Sequence, residues 1–305
     1  MHTQRSPTDQ QPLSPTMTPD SKAAALIEAL PYFQNFRGQT FLIKMGGSAM
    51  ENPMLVEAVM RDIVFLEVVG INPVIVHGGG KAISAAIEQA GLTHEFINGL
   101  RRTTEATISI VAETLNTKVN PSLVQMLQDS KGQAEGLPGQ TVFIAEKNMP
   151  LDEDGAPIDL GYVGQVTACN TSRIEELISQ EIVPVISPIG AHAEGDDLYN
   201  INADLAAAAL AKELKPAKLI YLSDVPGLMR DPNEPETLIH SINKQQANML
   251  IDEGIIKGGM LPKVKSALDA LDSGVQKIHF IDGRNAHSLL LEIFTDTGIG
   301  TEVVK

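Results

Sequence analysis

The sequence has few of the features of secreted and membrane proteins. Among its 305 residues there is one cysteine, Cys169, so no disulfide bond can form within the chain. No apolar run reaches the roughly 18–20 residues that a membrane-spanning helix needs, and residues 1–19 lack the apolar core of a signal peptide. We therefore expect a soluble, cytoplasmic protein of a reducing compartment, with no membrane partner.

Positive charge is also scarce. The chain has 23 basic and 38 acidic residues, which gives a net charge of −15. A protein that binds nucleic acid needs a basic surface to displace counterions from phosphates, so that class of partner is excluded. If the ligands are anions, the cations that bind them have to be concentrated locally.

Short β-branched runs alternate with helical patterns along the chain. Strands that are apolar over their whole length are typical of parallel sheets covered on both faces. The alternation predicts an α/β fold, in which an open, mostly parallel sheet lies between layers of helices. The predicted strands are 40–44, 73–77, 141–145, 182–187, 218–223 and 278–281, and the clearest helices are 55–66, 203–214 and 264–271.

The first part of the chain differs in composition from the rest. Residues 1–20 are rich in Thr, Gln, Ser and Pro, which predicts a disordered tail. Residues 21–36 predict an amphipathic helix, with Leu26, Leu30 and Phe33 on one stripe and Asp20 or Ser21 as the N-cap. Pro31 is expected to kink or break that helix.

Two further segments predict the organisation of the remaining chain. Residues 150–166 contain a turn signal and repeated glycines, which indicate a hairpin or flap. The polar, glycine-containing segment 191–197 is a candidate domain junction. It would divide a first lobe, 37–195, from a second lobe, 196–305.

Three glycine clusters adjoin predicted strands, at 46–47, 78–80 and 258–259. Glycines at the end of a strand let backbone N–H groups approach an oxyanion without interference from a Cβ atom. A following helix adds the positive end of its dipole. No cluster matches the common phosphate-loop or dinucleotide-binding motif.

Several charged residues stand next to these clusters. Lys44 interrupts an apolar strand, so it is either buried, and then paired or functional, or an edge residue that faces water. Lys263 follows the third cluster, and Asp204 begins an Ala-rich helix, where an acid also serves as a cap. Arg101 and Arg102 form either a carboxylate-binding pair or a solvated one.

In their order along the chain, these motifs resemble those of the amino acid kinase family. The resemblance extends from about residue 23 to residue 305, and within the family it is strongest to kinases that act on N-acetyl-L-glutamate. It is carried by the glycine loop after Lys44 and by the motifs HGGGK, NGLRRTT, GYVGQV, YNINADLAAAALA, LIYLSDVPGLM and GGMLPK.

The resemblance implies that ATP, with Mg²⁺ carried by the nucleotide, phosphorylates the side-chain carboxylate of N-acetyl-L-glutamate. That reaction is the second step of arginine biosynthesis. It implies a catalytic set of Lys44, Lys263, Asp204, Gly47 and Gly79. The implied substrate-binding residues are Gly79, Gly80, Arg101, Asn200 and Asn202. The implied nucleotide-binding residues are Ser223, Asp224, Gly227, Leu228, Gly258, Gly259 and Met260.

A carboxylate is already ionised at pH 7, so no general base is needed and His77 is expected to be structural.

The N-terminal helix and the segment 287–301 resemble parts of the arginine-inhibited family members. This resemblance implies feedback inhibition by arginine and a hexamer built as a trimer of dimers, linked through the N-terminal helices. The implied effector contacts are Tyr32, Lys218, His279, Glu292 and Gly298. Binding of the PII signalling protein, known for some members, stays open.

Two alternatives remain at this stage. The chain could be a sister kinase that acts on aspartate, glutamate, carbamate or uridine monophosphate. It could also be a non-catalytic arginine-sensing or partner-binding protein on the same fold, although the joint presence of Lys44, Asp204 and Lys263 argues against that.

Overall fold

The structure, a computed structural model, describes residues 18–50, 52–152 and 154–305. Most of the predicted tail, residues 1–17, lies outside the described residues. In chain order the α-helices of the described part are α1 Pro19–Phe36, α2 Pro53–Val68, α3 Gly80–Gln89, α4 Glu105–Glu113, α5 Asn120–Asp129, α6 Ser172–Ser179, α7 Ala203–Leu214, α8 Lys244–Asp252, α9 Met260–Asp272 and α10 Ser288–Ile293. A π-helical segment, Thr114–Val119, joins α4 to α5.

The strands of the described part form one large sheet and two small ones. They are β1 Thr40–Met45, β2 Asn72–His77, β3 Glu95–Ile97, β4 Leu100–Arg102, β5 Ala134–Leu137, β6 Phe143–Lys147, β7 Gly164–Cys169, β8 Val183–Ile186, β9 Ile189–Ala191, β10 Leu198–Asn200, β11 Lys218–Ser223, β12 Ser241–Asn243, β13 Lys277–Asp282 and β14 Thr301–Val304.

The large sheet has eight strands in the order β12-β14-β13-β11-β1-β2-β8-β5. Its neighbours pair in parallel, except for the antiparallel pair β13 and β14. Residues of α7 and α9 pack on one face, against Leu42 and Tyr221. Residues of α2, α5 and α10 pack on the other, against Ile43 and Ile75. The predicted α/β architecture, with an open and mostly parallel sheet between helices, is confirmed.

The four-stranded sheet has the order β10-β9-β6-β7, and most of the predicted flap, residues 150–166, is the connection between β6 and β7. Strands β6 and β7 pair antiparallel, and residues 148–163 connect them. The predicted strand 141–145 began too early, because Gly139–Thr141 form a 3₁₀ turn in which the Thr141 N–H donates to the Pro138 carbonyl. A hairpin with a long connection is therefore present where a hairpin or flap was predicted.

The candidate domain junction at residues 191–197 is a turn between two paired strands. Strands β9 and β10 are antiparallel neighbours, and the His192 N–H donates to the Asp197 carbonyl. A boundary between residues 195 and 196 would separate these hydrogen-bonded strands, so β10 stays with the sheet of the first lobe. The composition of this six-residue hairpin connection, which is polar and contains one glycine, matched that of a linker. The division into two lobes stays a prediction.

Helix α1 begins at Pro19, earlier than the predicted residue 21. Its N-cap is Thr18, whose hydroxyl accepts from the Ser21 N–H, so neither Asp20 nor Ser21 is the cap. The helix continues without a break through Pro31, although proline offers no N–H to the preceding turn. Among the described residues, no helix is long and apolar enough to cross a membrane.

Candidate active site

Two lysines and an aspartate from three separate elements meet beside the carboxyl end of β1. The Lys44 Nζ lies 2.8 Å from Asp204 Oδ1, and the Lys263 Nζ lies 3.5 Å from Asp204 Oδ2. Lys44 is 7% exposed and Asp204 is 8% exposed. Each charge is therefore removed from water beside a charge of opposite sign, and the prediction that Lys44 is paired is confirmed.

Local sequence explains how these side chains reach one another. Lys44 extends over the following loop, where a Cβ atom on Gly46 would lie only 2.1 Å from the Lys44 Nζ. Asp204 is the second residue of α7, and the Asn202 side chain caps that helix by accepting from the Asp204 N–H at 2.9 Å. Burial alone raises the pKa of the Asp204 carboxyl, but Lys44 and Lys263 outweigh it and hold that pKa below its usual value. The carboxylate is therefore ionised at neutral pH.

The first two glycine clusters lie side by side at the sheet edge. The Gly78 N–H donates to the Met45 carbonyl at 2.7 Å, which joins the two loops. Gly47 has a φ of +60°, and a Cβ atom there would lie 2.2 Å from an Asp224 carboxylate oxygen. Gly47 is thus required both by its backbone conformation and by the close approach of Asp224, a predicted nucleotide-side residue.

A cavity of about 190 Å³ adjoins the charged cluster. It brings three of the predicted catalytic residues, Lys44, Gly79 and Asp204, together with the predicted substrate-binding residues and with apolar side chains from α3, the π-helical segment and the flap. Lys263 and Gly47 are not part of its lining. Its lining consists of Lys44, Gly78, Gly79, Gly80, Ile83, Phe96, Gly99, Leu100, Arg101, Leu115, Val163, Pro188, Asn200, Ile201, Asn202, Ala203 and Asp204.

Arg101 supplies a second buried cation to this cavity. Its Nη2 donates to the Gly80 carbonyl at 2.9 Å and to the Ser84 hydroxyl at 2.8 Å. The Nη1 atom is buried and has no hydrogen-bond partner within the described part of the chain. Burial lowers the pKa of the guanidinium. A buried donor without a partner is costly, so the site is suited to an anion that would accept from it.

Two contacts of Arg101 were missed by the sequence analysis. Its guanidinium lies 4.5 Å from the ring centroid of Phe96, which is its direct cross-strand partner in the hairpin of β3 and β4. The Asn98-Gly99 dipeptide, with both φ angles positive, forms the turn of that hairpin. Asn-Gly is a strong hairpin signal and could have placed Phe96 opposite Arg101. Ser84, one helical turn after Gly80, had no comparable signal.

The predicted nucleotide-side residues lie outside the cavity lining. Ser223 ends β11 and is buried. Leu228 is packed in the core, and its N–H donates to the Thr301 hydroxyl at 2.8 Å, so its side chain does not reach the cavity. Gly258 and Gly259 form an open turn directly before α9, the helix that begins at Met260 and carries Lys263. Their roles stay predictions.

Four of the predicted effector residues form one contiguous group. The buried Lys218 Nζ donates to His279 Nε2 at 2.9 Å, and the His279 Nδ1–H donates to Glu292 Oε1 at 2.7 Å. Gly298, with a φ of +62°, passes so close to Glu292 that a Cβ atom would lie 2.5 Å from its Oε2. Tyr32 lies nearby on α1, with its ring edge-on to Phe294 at 6.2 Å. Burial lowers the pKa of Lys218 to about 8.

His77 is fully buried at the end of β2, as expected for a structural residue. Its Nδ1–H donates to the Gly78 carbonyl at 2.7 Å, and its Nε2 accepts from Asn120 Nδ2 at 3.1 Å. Burial lowers the pKa of His77 to about 4, so the ring is neutral at pH 7.

The comparisons with known proteins agree with this arrangement. Residues 39–282 match the model of the amino acid kinase family, which is well over half of the chain. The chain belongs to the amino acid kinase family. It is 56% identical over 284 residues to an acetylglutamate kinase of Akkermansia muciniphila, covering 93% of this chain and 96% of that protein. It is 47% identical to an acetylglutamate kinase of Heliobacterium modesticaldum, covering 93% and 98%.

Solved structures place the chain in the same family fold. An N-acetylglutamate synthase from Neisseria gonorrhoeae, in complex with coenzyme A and N-acetylglutamate, superposes with a TM-score of 0.81 at 26% identity. The match covers 93% of this chain and 63% of the synthase chain. A carbamate kinase from Giardia lamblia has a TM-score of 0.65 at 18% identity and shares the fold.

Proposed function

We propose that the chain is an ATP-dependent kinase that phosphorylates the side-chain carboxylate of N-acetyl-L-glutamate, a step of arginine biosynthesis. One observation carries the proposal: the Lys44–Asp204–Lys263 cluster adjoins a small cavity that also contains the buried Arg101. Such a site offers cations for two separate anionic groups, a phosphoryl group and a remote carboxylate. The near-full-length similarity to acetylglutamate kinases supports the same substrate.

The reaction needs positioning and charge compensation more than covalent help from the protein. An oxygen of the acceptor carboxylate attacks the γ-phosphorus while the bond from that phosphorus to the bridging oxygen breaks. ADP leaves with the electron pair, and no proton has to move. Lys44 and Lys263 would offset the negative charge on the transferring group, and Asp204 would hold both ammonium groups in place.

The glycine loops and α9 would receive the phosphates of the donor. Gly47 and Gly79 would direct backbone N–H groups at the phosphoryl oxygens. Asp224 lies directly beside Gly47, which supports a nucleotide site next to the transfer centre. Mg²⁺ would be carried by the ATP phosphates, whose oxygens it prefers as ligands, and would neutralise part of their charge. The remaining nucleotide contacts would come from Ser223, Gly227, Leu228, Gly258, Gly259 and Met260.

The acceptor would occupy the cavity with its α-carboxylate on Arg101. Asn200 and Asn202 line the same cavity and would bind its polar groups. Apolar side chains, including Phe96 and Val163, would surround the acetyl group, which free glutamate lacks. In this arrangement residues 37–195, together with β10, form the acceptor lobe, and the later residues form the nucleotide lobe.

A cytoplasmic location is also proposed, because a chain with a single cysteine cannot form an internal disulfide bond.

The test is ADP release by the purified chain with ATP, Mg²⁺ and each acceptor in turn. We expect release with N-acetyl-L-glutamate and little with glutamate, aspartate, carbamate or uridine monophosphate. Comparable release with one of the other acceptors would reassign the substrate. Arginine binding without ADP release from any acceptor would favour a non-catalytic sensor.

We also propose feedback inhibition by arginine, bound where Lys218, His279 and Glu292 form one hydrogen-bonded group beside Gly298. The Glu292 carboxylate would pair with the guanidinium of arginine, which suits bidentate contact. Tyr32 on α1 would close over the ligand, with Gly298 leaving room beside Glu292. Exposed apolar residues of α1 would join neighbouring dimers into a hexameric ring.

A further inference from the structure

Thr103 lies at the point where strand β4, the flap and Asn200 meet. It follows β4 directly and is fully buried. Its hydroxyl donates to the Arg101 carbonyl at 3.1 Å and accepts from Asn200 Nδ2 at 3.0 Å. One side chain thereby connects two residues that line the acceptor cavity from distant parts of the sequence.

The backbone of Thr103 holds the flap by two further hydrogen bonds. Its N–H donates to the Leu160 carbonyl at 3.0 Å, and its carbonyl accepts from the Tyr162 N–H at 2.6 Å. The Tyr162 carbonyl in turn accepts from the Asn200 N–H at 2.9 Å. The flap is thus hydrogen-bonded to both Thr103 and Asn200, and Val163, the next flap residue, lines the cavity.

Gly161 makes this close approach possible. Its φ is +74°, and a Cβ atom there would lie 2.2 Å from the Thr103 carbonyl oxygen. Any other residue would clash with the backbone of Thr103 and would also be strained at that φ.

The direction of the hydroxyl bonds determines how Asn200 is oriented. A threonine hydroxyl has one proton, and here it is donated to the Arg101 carbonyl. Toward Asn200 the oxygen can only accept, so it holds the Nδ2 end of the carboxamide. The Oδ1 atom and the second Nδ2 hydrogen of Asn200 are left to bind the phosphoryl-acceptor substrate, N-acetyl-L-glutamate.

We propose that Thr103 is a positioning residue for the acceptor site: it fixes the Asn200 carboxamide and couples the flap to Arg101 on strand β4. The inference rests on the proposed function, because it assigns the acceptor to this cavity. Thr103 itself does not line the cavity, so its effect is exerted through Asn200, Arg101 and Val163.

The test compares Thr103→Val, which removes the hydroxyl at nearly constant shape, with Thr103→Ser, which keeps it. In Thr103→Val we expect the KM for N-acetyl-L-glutamate to rise about tenfold, the scale of one lost hydrogen bond, with the KM for ATP changed less than about twofold. The KM of the Thr103→Ser variant for N-acetyl-L-glutamate should be within about twofold of the wild-type value. Thr141→Val is the control for the same chemical change, because the exposed Thr141 hydroxyl donates to the nearby Pro138 carbonyl and Thr141 does not line the cavity.

Amide hydrogen exchange gives a second readout that does not depend on activity. Residues 160–163 and Asn200 should exchange faster in Thr103→Val than in wild type, and Thr103→Ser and Thr141→Val should match wild type. Equal rises in both KM values, no rescue by serine, or unchanged flap exchange would overturn the inference. A wild-type protein that does not use N-acetyl-L-glutamate would contradict the proposed function, while the exchange comparison would still test the coupling of Thr103 to the flap.

Discussion

Lys44 and Asp204 place two opposite charges in the protein interior, 2.8 Å apart. Burying either charge alone would cost several kcal/mol, and their attraction offsets this only while both are present. Lys263 is more accessible, with 24% of its side chain exposed, and lies farther from the carboxylate. Substitutions of the three residues are therefore expected to lower turnover in every case but to change the free energy of unfolding by different amounts.

We expect Lys263→Ala to lower kcat by at least about a hundredfold, the scale of one lost electrostatic contact to a transition state. Because Asp204 keeps its contact with Lys44, the variant should remain folded. Lys265→Ala is the matched control, since Lys265 is exposed on the same helix. A folded Lys263→Ala protein with normal steady-state turnover would remove Lys263 from the mechanism.

Lys44→Ala should lower kcat by a similar factor and also destabilise the fold by about 3–5 kcal/mol, because it removes the closest partner of a buried carboxylate. Asp204→Asn should be nearly inactive, since both lysines lose the group that positions them. Denaturant unfolding of each variant separates the loss of stability from the loss of turnover. If Lys44→Ala unfolds at the wild-type denaturant concentration, the buried pair contributes little to stability.

Arg101→Ala should raise the acceptor KM far more than it lowers kcat. A contact with a remote carboxylate is present in both the ground state and the transition state, so it contributes uniform binding. Arg102→Ala is the control, because Arg102 is half-exposed and pairs with Glu95 at 3.3 Å. A change in the ATP KM alone would assign Arg101 to the nucleotide side.

At the scale of elements, the apolar stripe of α1 is packed at its C-terminal end and exposed nearer its N-terminus. Phe33 packs against Phe65 and Phe294, with ring centroids 5.9 and 5.3 Å apart, and this contact joins α1 to the rest of the chain. Leu26 and Leu30 remain 62% and 43% exposed. An exposed apolar stripe on an otherwise anchored helix indicates an interface, and closed rings of identical subunits supply one.

We expect Leu26→Glu combined with Leu30→Glu to convert the proposed hexamer to dimers and to abolish inhibition by arginine, while turnover without arginine is retained. Asn35→Glu, an added charge on the opposite side of the same helix, should change neither property. Light scattering and an arginine titration of ADP release measure both effects. A wild-type protein that is dimeric and insensitive to millimolar arginine would contradict the regulatory proposal and leave the kinase proposal intact.

Two truncations give an independent test of the same helix. Removing residues 1–17 keeps the Thr18 cap and all of α1, so assembly and inhibition should not change. Removing residues 1–36 should leave a dimer that turns over but no longer responds to arginine. Loss of inhibition on removing residues 1–17 alone would place the effect in the tail.

At the scale of the whole molecule, stability should depend on pH through groups that the fold keeps neutral or paired. Folding lowers the pKa of His77 from 6.5 to about 4. The folded state therefore binds a proton less readily than the unfolded state, and the stability contributed by neutral His77 is present above pH 6.5 and is lost as the pH falls toward 4. Burial shifts the pKa of His279 in the same direction.

We expect His77→Gln to reduce this dependence, because glutamine keeps a donor and an acceptor but does not titrate in this range. Between pH 7 and pH 4.5, the unfolding free energy of wild type should fall by about 2 kcal/mol more than that of the variant. Urea unfolding at each pH measures the difference. Parallel pH profiles would show that His77 does not contribute to the acid sensitivity.

The sequence alone was sufficient for features with a local signal. Apolar runs and helical spacing predicted the parallel sheet and its helices, because buried positions recur along the chain with the period of the strand or helix. A lysine inside an apolar strand predicted a buried partner, and Asp204 fulfils that prediction. Glycines at two strand ends predicted a site at one sheet edge, because the carboxyl ends of parallel strands meet there.

Other features were decided only by tertiary contacts. The hydrogen bond between Thr103 and Asn200 joins residues 97 positions apart, and no local pattern in the sequence indicates that these two side chains meet. Residues 191–197 had the composition of a linker, yet they form a hairpin turn, because pairing between β9 and β10 depends on the sheet beside them. The sequence by itself determined which residues could carry charge into the interior and where the backbone could bend. The tertiary structure alone decided which of those residues meet, because long-range packing selects among partners that local spacing leaves equivalent.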